Sequence, residues 1–223
     1  MQTIELKFIK GHLFADLEGC DWVVDTGAPT SFGESSTIVI DEIHFSIPDT
    51  YVGLNAMQLS GLLEHPTAGL LGVDVINEFD MLFDVAGGKL SVSVDELTLD
   101  GEMIDLGDLM GIPVIEARIA DQNWRMFFDT GAKISYFQDE SLTTFPLTGE
   151  LNDFFPGFGQ FQTNTHLVDF EIGASKYSFQ CGSLPGLLGM TLSLAGSNGI
   201  VGNELIRNRT TGYFPRRKRM ILG

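Results

Sequence analysis

A tetrapeptide written twice constrains this chain more than any other feature. Asp25-Thr26-Gly27-Ala28 follows the apolar pair Val23-Val24, and Asp129-Thr130-Gly131-Ala132 follows Phe127-Phe128. An apolar run that ends in Asp-Thr-Gly reads as a buried strand delivering a carboxylate to a tight turn. Gly supplies the backbone freedom of the turn, and the small Ala lets another backbone pack close. One copy fits an ordinary strand-to-turn exit as well as it fits a functional motif. Two copies with matching downstream sequence do not.

The downstream match runs far into each half. Gly69-Leu70-Leu71-Gly72 pairs with Gly199-Ile200-Val201-Gly202, Val75-Ile76 with Leu205-Ile206, Phe83 with Tyr213, and Lys89-Leu90 with Arg219-Met220. A turn, two apolar residues with Gly, a short helix and a closing hairpin thus recur in one order. That order implies a duplicated unit. Short alternating runs lie between Gly and Asp punctuation at Thr3–Ile9, His12–Leu17, Asp21–Asp25 and Thr37–Ile47. No long segment keeps a 3.6-residue period, and each half offers one short helix, Val73–Phe79 and Asn203–Arg207. The chain reads as mainly β.

With these motifs the sequence resembles the aspartic proteases of the pepsin and retropepsin families, in which two Asp-Thr/Ser-Gly motifs meet across a pseudo-twofold axis. The resemblance covers nearly the whole chain. It implies an all-β, bilobal acid-protease fold of two pseudo-twofold-related, retropepsin-like β-barrel lobes with short helices. The lobes are expected at residues 1–97 and 109–223, with an acidic linker at 98–108. Leu70-Leu71-Gly72 and Ile200-Val201-Gly202 are then expected to thread beneath the two Asp turns.

The same resemblance implies an aspartic-type endopeptidase. Asp25 and Asp129 would share one proton and hold a water between them, since two adjoining carboxylates cannot both ionise. Which of them is the base stays open at this point. Thr26 and Thr130 would hydrogen-bond across the axis, and Gly27 and Gly131 would bring backbone N–H groups near the carboxylates. Ala28 and Ala132 stand where pepsin-type motifs usually carry Ser or Thr. A missing hydroxyl donor raises a carboxyl pKa, so a weakly acidic working range is expected.

The halves differ in length between landmarks. Ile40 lies 15 residues beyond Asp25, whereas the matching Ile172 lies 43 beyond Asp129. The extra residues fall between about Tyr136 and Val168, the interval that holds a substrate-closing flap in the resembling families. They contain Phe154-Phe155-Pro156-Gly157-Phe158-Gly159-Gln160-Phe161, a Gly and Pro turn flanked by aromatics. Phe155, Pro156, Gly157, Phe158, Gly159 and Phe161 are therefore the expected flap and substrate-binding residues. This departs from the parents: pepsins carry the flap in the first lobe with a Tyr near its tip, retropepsin dimers have two flaps, and here the first half lacks one.

Composition narrows the partners. Thirty acidic against 13 basic residues give a net charge of −17, which argues against nucleic acid or an anionic membrane and for a soluble, self-repelling monomer; the peptide or protein substrate is what the resemblance implies. The four His are scattered without metal-ligand spacing, and neither a Gly-x-Ser-x-Gly nor a phosphate loop is present, so no metal or cofactor is expected. Cys20 and Cys181 make no disulfide framework; one bridge or two reduced thiols both fit. Met1–Lys10 alternates like a strand and has no apolar signal core, and a cytoplasmic home is expected. Ser183–Gly202 is uncharged but rich in Gly and Ser, and reads as loops around a buried strand. Arg216-Arg217-Lys218-Arg219 aligns with a hairpin turn and reads as a solvated one. The rival to an endopeptidase is a peptide-binding or scaffold module that kept the fold without cutting.

Overall fold

Ile4 and Leu6 enter the core from strand β1 (Gln2–Ile9) while Thr3 and Glu5 face outward, the period of two that a half-buried strand imposes. Two-residue turns at Lys10-Gly11 and Glu18-Gly19 lead to β2 (His12–Leu17) and β3 (Cys20–Val24). All four turn residues have positive φ, the conformation whose twist matches that of the flanking strands. The computed structural model describes residues 1–156 and 158–223, and about half of the chain is strand against about a seventh helix. The protein is predominantly β.

Five short strands follow: β4 (Phe32–Gly33), β5 (Thr37–Ile40), β6 (Ile43–Ser46), β7 (Thr50–Tyr51) and β8 (Leu54–Asn55). Helix α1 (Ala56–Leu63) comes next and corrects the expectation of one short helix per half. Its start was written in the sequence: the Asn55 side chain accepts from the Gln58 N–H while the Gln58 side chain accepts from the Asn55 N–H. Leu59 and Leu63 bury one face of it. Then come β9 (Gly69–Leu71), α2 (Val73–Ile76), β10 (Asp80–Asp84) and β11 (Lys89–Ser93).

Within residues 98–108, expected as a linker, lie β12 (Glu102–Asp105) and most of β13 (Gly107–Leu109). Strands β14 (Ile112–Ile119) and β15 (Gln122–Phe128) repeat the opening hairpins, again through turns of positive φ at Met110-Gly111 and Ala120-Asp121. The chain continues through β16 (Ser135–Phe137), the long pair β17 (Leu147–Phe155) and β18 (Gly159–Ile172), and β19 (Ser175–Gly182). The stretch expected as loops around a buried strand holds that strand, β20 (Gly199–Val201), but also helix α3 (Gly186–Leu194). Gly186 and Gly189 masked the helix, while Leu184, Leu188 and Leu192, four apart, pack with Ile134, Tyr136 and Ile200. Strands β21 (Thr210–Phe214) and β22 (Arg219–Leu222) close the fold.

Two sheets organise these elements. The first runs β12-β22-β21-β10-β11-β1-β2-β3-β9-β4, so it takes strands from both halves. The second runs β13-β14-β15-β20-β16-β19-β18-β17. In each, the strand ending at an Asp lies parallel to the short apolar strand: Val24 opposite Leu71, and Phe128 opposite Val201. Most of the core is one continuous cluster, with Phe83, Phe128 and Tyr213 among its largest members.

The basic turn is more than solvated. Arg216 and Arg217 both pair with Asp80, whose side chain is fully buried, and the Arg217 guanidinium also lies 4.2 Å from the centre of the Phe214 ring. A buried carboxylate needs such partners. Cys20 is exposed, Cys181 is buried, and the two are not bonded to each other. Among the described residues, no helix is long and apolar enough to cross a membrane.

Candidate active site

Each Asp-Thr-Gly-Ala turn is built by backbone pairing to the strand beside it. The Asp25 N–H donates to the Leu71 carbonyl and the Val73 N–H donates to the Ala28 carbonyl, at 3.0 and 2.9 Å. In the second half Asp129 N–H donates to Val201 and Asn203 N–H to Ala132, at 3.0 and 2.9 Å. Ser31 Oγ accepts from the Gly72 N–H and Ser135 Oγ from the Gly202 N–H. The two-apolar-Gly segments therefore run against the turns, as the resemblance implied.

The turns are locked to each other through their threonines. The Thr26 N–H donates to Thr130 Oγ1 and the Thr130 N–H to Thr26 Oγ1, both at 3.0 Å. Each hydroxyl in turn donates to a carbonyl of the opposite strand, Thr26 to Phe128 at 2.8 Å and Thr130 to Val24 at 2.7 Å. Both threonines are fully buried, and every polar atom of the exchange has a partner, as a buried network requires. A Cβ on Gly27 would run into the Asp129 carboxylate, and one on Gly131 into that of Asp25. Only glycine permits the approach.

The carboxyls of Asp25 and Asp129 adjoin on one cavity wall, and each shifts the other's titration. Both side chains are half-buried at the surface of the cleft and enclosed by protein behind it. Burial pushes both carboxyls above the usual range, and the charge of Asp129 pushes Asp25 further. Backbone donors oppose that rise at both sites: Asp129 Oδ1 accepts from the Gly131 and Ala132 N–H groups at 2.8 and 3.1 Å, Asp25 Oδ1 accepts from Gly27 at 2.9 Å, and the Ala28 N–H lowers the Asp25 carboxyl as well. The two carboxyls therefore titrate as a pair.

The carboxylates lie on the wall of a cavity of about 410 Å³. Ala28, Ala132, Gly27 and Gly131 line it with them, and Phe155, Pro156 and Phe161 of the β17–β18 hairpin close it. Phe158 and Gly159 do not line it, and Gly157 lies outside the described residues. Phe158 instead meets Phe161 edge to face. Sequence reasoning missed Phe154, which crosses from this hairpin to pack with Phe14, Phe32, Leu59 and Leu63 of the first half. It also missed the helix α1 wall of Leu59 and Leu63, for which the capping box was the available signal.

A polar group at one end of the cleft was equally hidden. The buried side chain of Asp153 accepts from the Tyr136 hydroxyl and pairs with Lys133 at 3.3 Å, and Asp153 and Tyr136 both line the cavity. His12 lines it too, and its Nδ1–H donates to the Gly131 carbonyl at 3.0 Å. Burial pushes the His12 pKa down, so the neutral ring is the form that belongs there. Among the described residues, no group of three or more His, Cys, Asp or Glu could hold a metal ion. No known family model matches the chain, and no curated protein matches it.

Proposed function

We propose that this chain is an aspartic endopeptidase, similar to pepsins and retropepsins, with both carboxylates of the dyad supplied by one chain. The observation that carries the proposal is the adjoining carboxyl pair Asp25–Asp129, half-buried at the wall of an apolar cleft, each carboxylate against the other turn's glycine. The reading includes two pseudo-twofold-related lobes, residues 1–97 and 109–223 joined through 98–108, and a monomer in the cytoplasm acting on peptide or protein.

The chemistry follows from a pair that carries one proton. With Asp129 as the anion of the pair, it takes a proton from water as the water oxygen bonds to the peptide carbonyl carbon. Asp25 gives its proton to the carbonyl oxygen. Collapse of the tetrahedral intermediate breaks the C–N bond, the amine leaves with the proton held by Asp129, and Asp25 recovers the one it lent. Thr26 and Thr130 touch no substrate in this scheme; they hold the two turns at one spacing. Phe154, Phe155, Pro156 and Phe161 act as the flap, excluding water and giving the cleft its apolar preference.

The test uses a peptide library with large apolar residues at its centre, read by mass spectrometry. Wild type is expected to cleave, and Asp25→Asn and Asp129→Asn each to lose all detectable cleavage, because the dyad acts as a unit. A variant that kept more than about a tenth of the activity, roughly 1.4 kcal/mol of barrier, would refute the shared dyad. Tight binding of a transition-state peptide analogue with no cleavage would assign the chain to the peptide-binding modules instead.

A further inference from the structure

The Asp153 carboxylate is a charge buried without an obvious need for it. It sits on β17, in the arm of the hairpin, with its side chain only 8% exposed. Its partners lie on the segment that carries Asp129. Lys133 directly follows Ala132, reaches Asp153 Oδ1 at 3.3 Å and donates to the Asn152 carbonyl at 2.8 Å. Tyr136, on β16, donates its hydroxyl to the other oxygen of Asp153. Strand β16 pairs with β20, and β20 in turn holds the Asp129 N–H through Val201. The arm and the Asp129 turn are thus joined at two points by one carboxylate.

Burying an ion pair costs several kcal/mol per charge before its partners offset it, so the trio is not accidental filler. Comparison of the halves supports this. The residues that align with Lys133 and Tyr136 in the first half are Pro29 and Phe32, which offer no side-chain donor. The first half also has no long hairpin among its described residues. Donors and hairpin occur together.

We propose that Asp153 is a positioning residue: it fastens the hairpin arm to the segment bearing Asp129 and sets a further negative charge beside the singly charged dyad. The catalytic consequence rests on the endopeptidase reading; the fastening does not. The groups facing Asp153 are Lys133 and Tyr136 from the segment after the second turn, His12 from β2, and Asp129 from the end of β15. Lys10 and Glu64, paired with each other, line a polar cavity of about 610 Å³ that Asp153 shares. Of these, Tyr136 and Lys133 meet the carboxylate directly, while Asp129 feels its charge as a lesser cause beside burial. Its anion opposes loss of the proton from the dyad.

Two readouts that need no activity test the proposal on the full chain. Hydrogen exchange of the amides in residues 150–155 and 159–166 reports the fastening, and carbon-13 NMR titration of the Asp25 and Asp129 carboxyls reports the charge. Tyr136→Phe, which keeps the carboxylate, is expected to speed exchange in the hairpin at least about tenfold and to leave the dyad titration in place. Asp153→Asn is expected to speed exchange similarly and to move the dyad titration to lower pH. Unchanged hairpin exchange in both variants overturns the fastening. A dyad titration that stays put or moves upward in Asp153→Asn overturns the electrostatic role. Should Asp153→Asn not fold, Tyr136→Phe alone decides the fastening, and Lys133→Met, which removes the opposing cation, must move the dyad titration upward or the electrostatic role falls. A wild type that cleaves no peptide would defeat the endopeptidase reading while leaving both measurements decisive for Asp153.

Discussion

Thr26 and Thr130 exchange hydrogen bonds, each backbone N–H donating to the other's Oγ1 at 3.0 Å from a fully buried position. Replacing Thr26 by Val keeps the shape and strands two groups, the Thr130 N–H and the Phe128 carbonyl. Each buried unpaired group costs about 1–3 kcal/mol, so Thr26→Val should lose about 2–4 kcal/mol in urea denaturation. Thr26→Ser should recover most of that loss, since it restores the hydroxyl. A Val variant within about 0.5 kcal/mol of wild type would show that the exchange contributes nothing to stability.

The dyad should cost stability at neutral pH. Both carboxyls have pKa values raised by burial, so the folded chain holds a proton that the unfolded chain releases. Stability is then full below the ordinary carboxylate range and falls as pH rises through the raised values. Asp25→Asn removes one charge from the pair, so at pH 8 it should be more stable than wild type, with the gap closing near pH 4. Thermal denaturation at both pH values checks this; an Asn variant less stable at pH 8 contradicts it.

Ala28 and Ala132 line the cleft beside the carboxylates without offering a hydroxyl. Ala28→Ser with Ala132→Ser adds two donors, and donation to a carboxylate favours its charged form. Both limbs of the pH–rate profile should therefore move to lower pH, from a wild-type optimum in the weakly acidic range. An optimum of the wild type at about pH 2–3, the range of an unraised dyad, would defeat this, as would an upward shift in the double variant.

Phe154 joins the hairpin to the wall formed by Phe32, Leu59 and Leu63. Phe154→Ala should leave the fold intact and lower kcat/KM by about tenfold or more, chiefly through KM, because it removes contact made equally with the bound substrate and the transition state. Replacing residues 154–161 by a short Gly-Ser turn should go further, since no second long hairpin exists among the described residues of the first half. Unaltered kinetics after the loop exchange would reduce the aromatic insert to a surface loop.

Because Asp25 and Asp129 meet within one chain, specific activity should stay constant on dilution. An activity that falls with the square of concentration would mean that the halves pair between molecules.

What was legible in the sequence lay close together along it. The two tetrapeptides, their apolar-Gly partners and the turn-Gly hairpins each sit within a few residues of what they specify, and the structure brings them together as the resemblance implied. The β17–β18 hairpin was legible as surplus length, because an insertion shows against a repeat. Helix α1 was not, although Asn55 and Gln58 announced it; eight residues of mixed character carry too little periodicity. Helix α3 hid behind Gly186 and Gly189. The Asp153–Tyr136–Lys133 group and the Asp80–Arg216–Arg217 cluster are pairings across distance, and no local pattern records which charge will be buried against which.

Strand β21 lies between β10 and β22, and β22 lies between β21 and β12, so the first sheet is finished by residues 210–222. A ribosome delivers these strands long after Asp25. Until they emerge, β10 is an open edge, Asp80 waits without its two arginines, and β20 has only just arrived to support Asp129. The dyad is therefore among the last things the chain can assemble, and a half-made chain has one carboxylate and no cleft. On the endopeptidase reading, synthesis itself works as a safety interval: the growing polypeptide cannot cut before residues 199–201 have emerged to support Asp129. The accompanying hazard is an exposed β10 edge open to wrong pairing during that interval, which slow translation over residues 199–222 would lengthen.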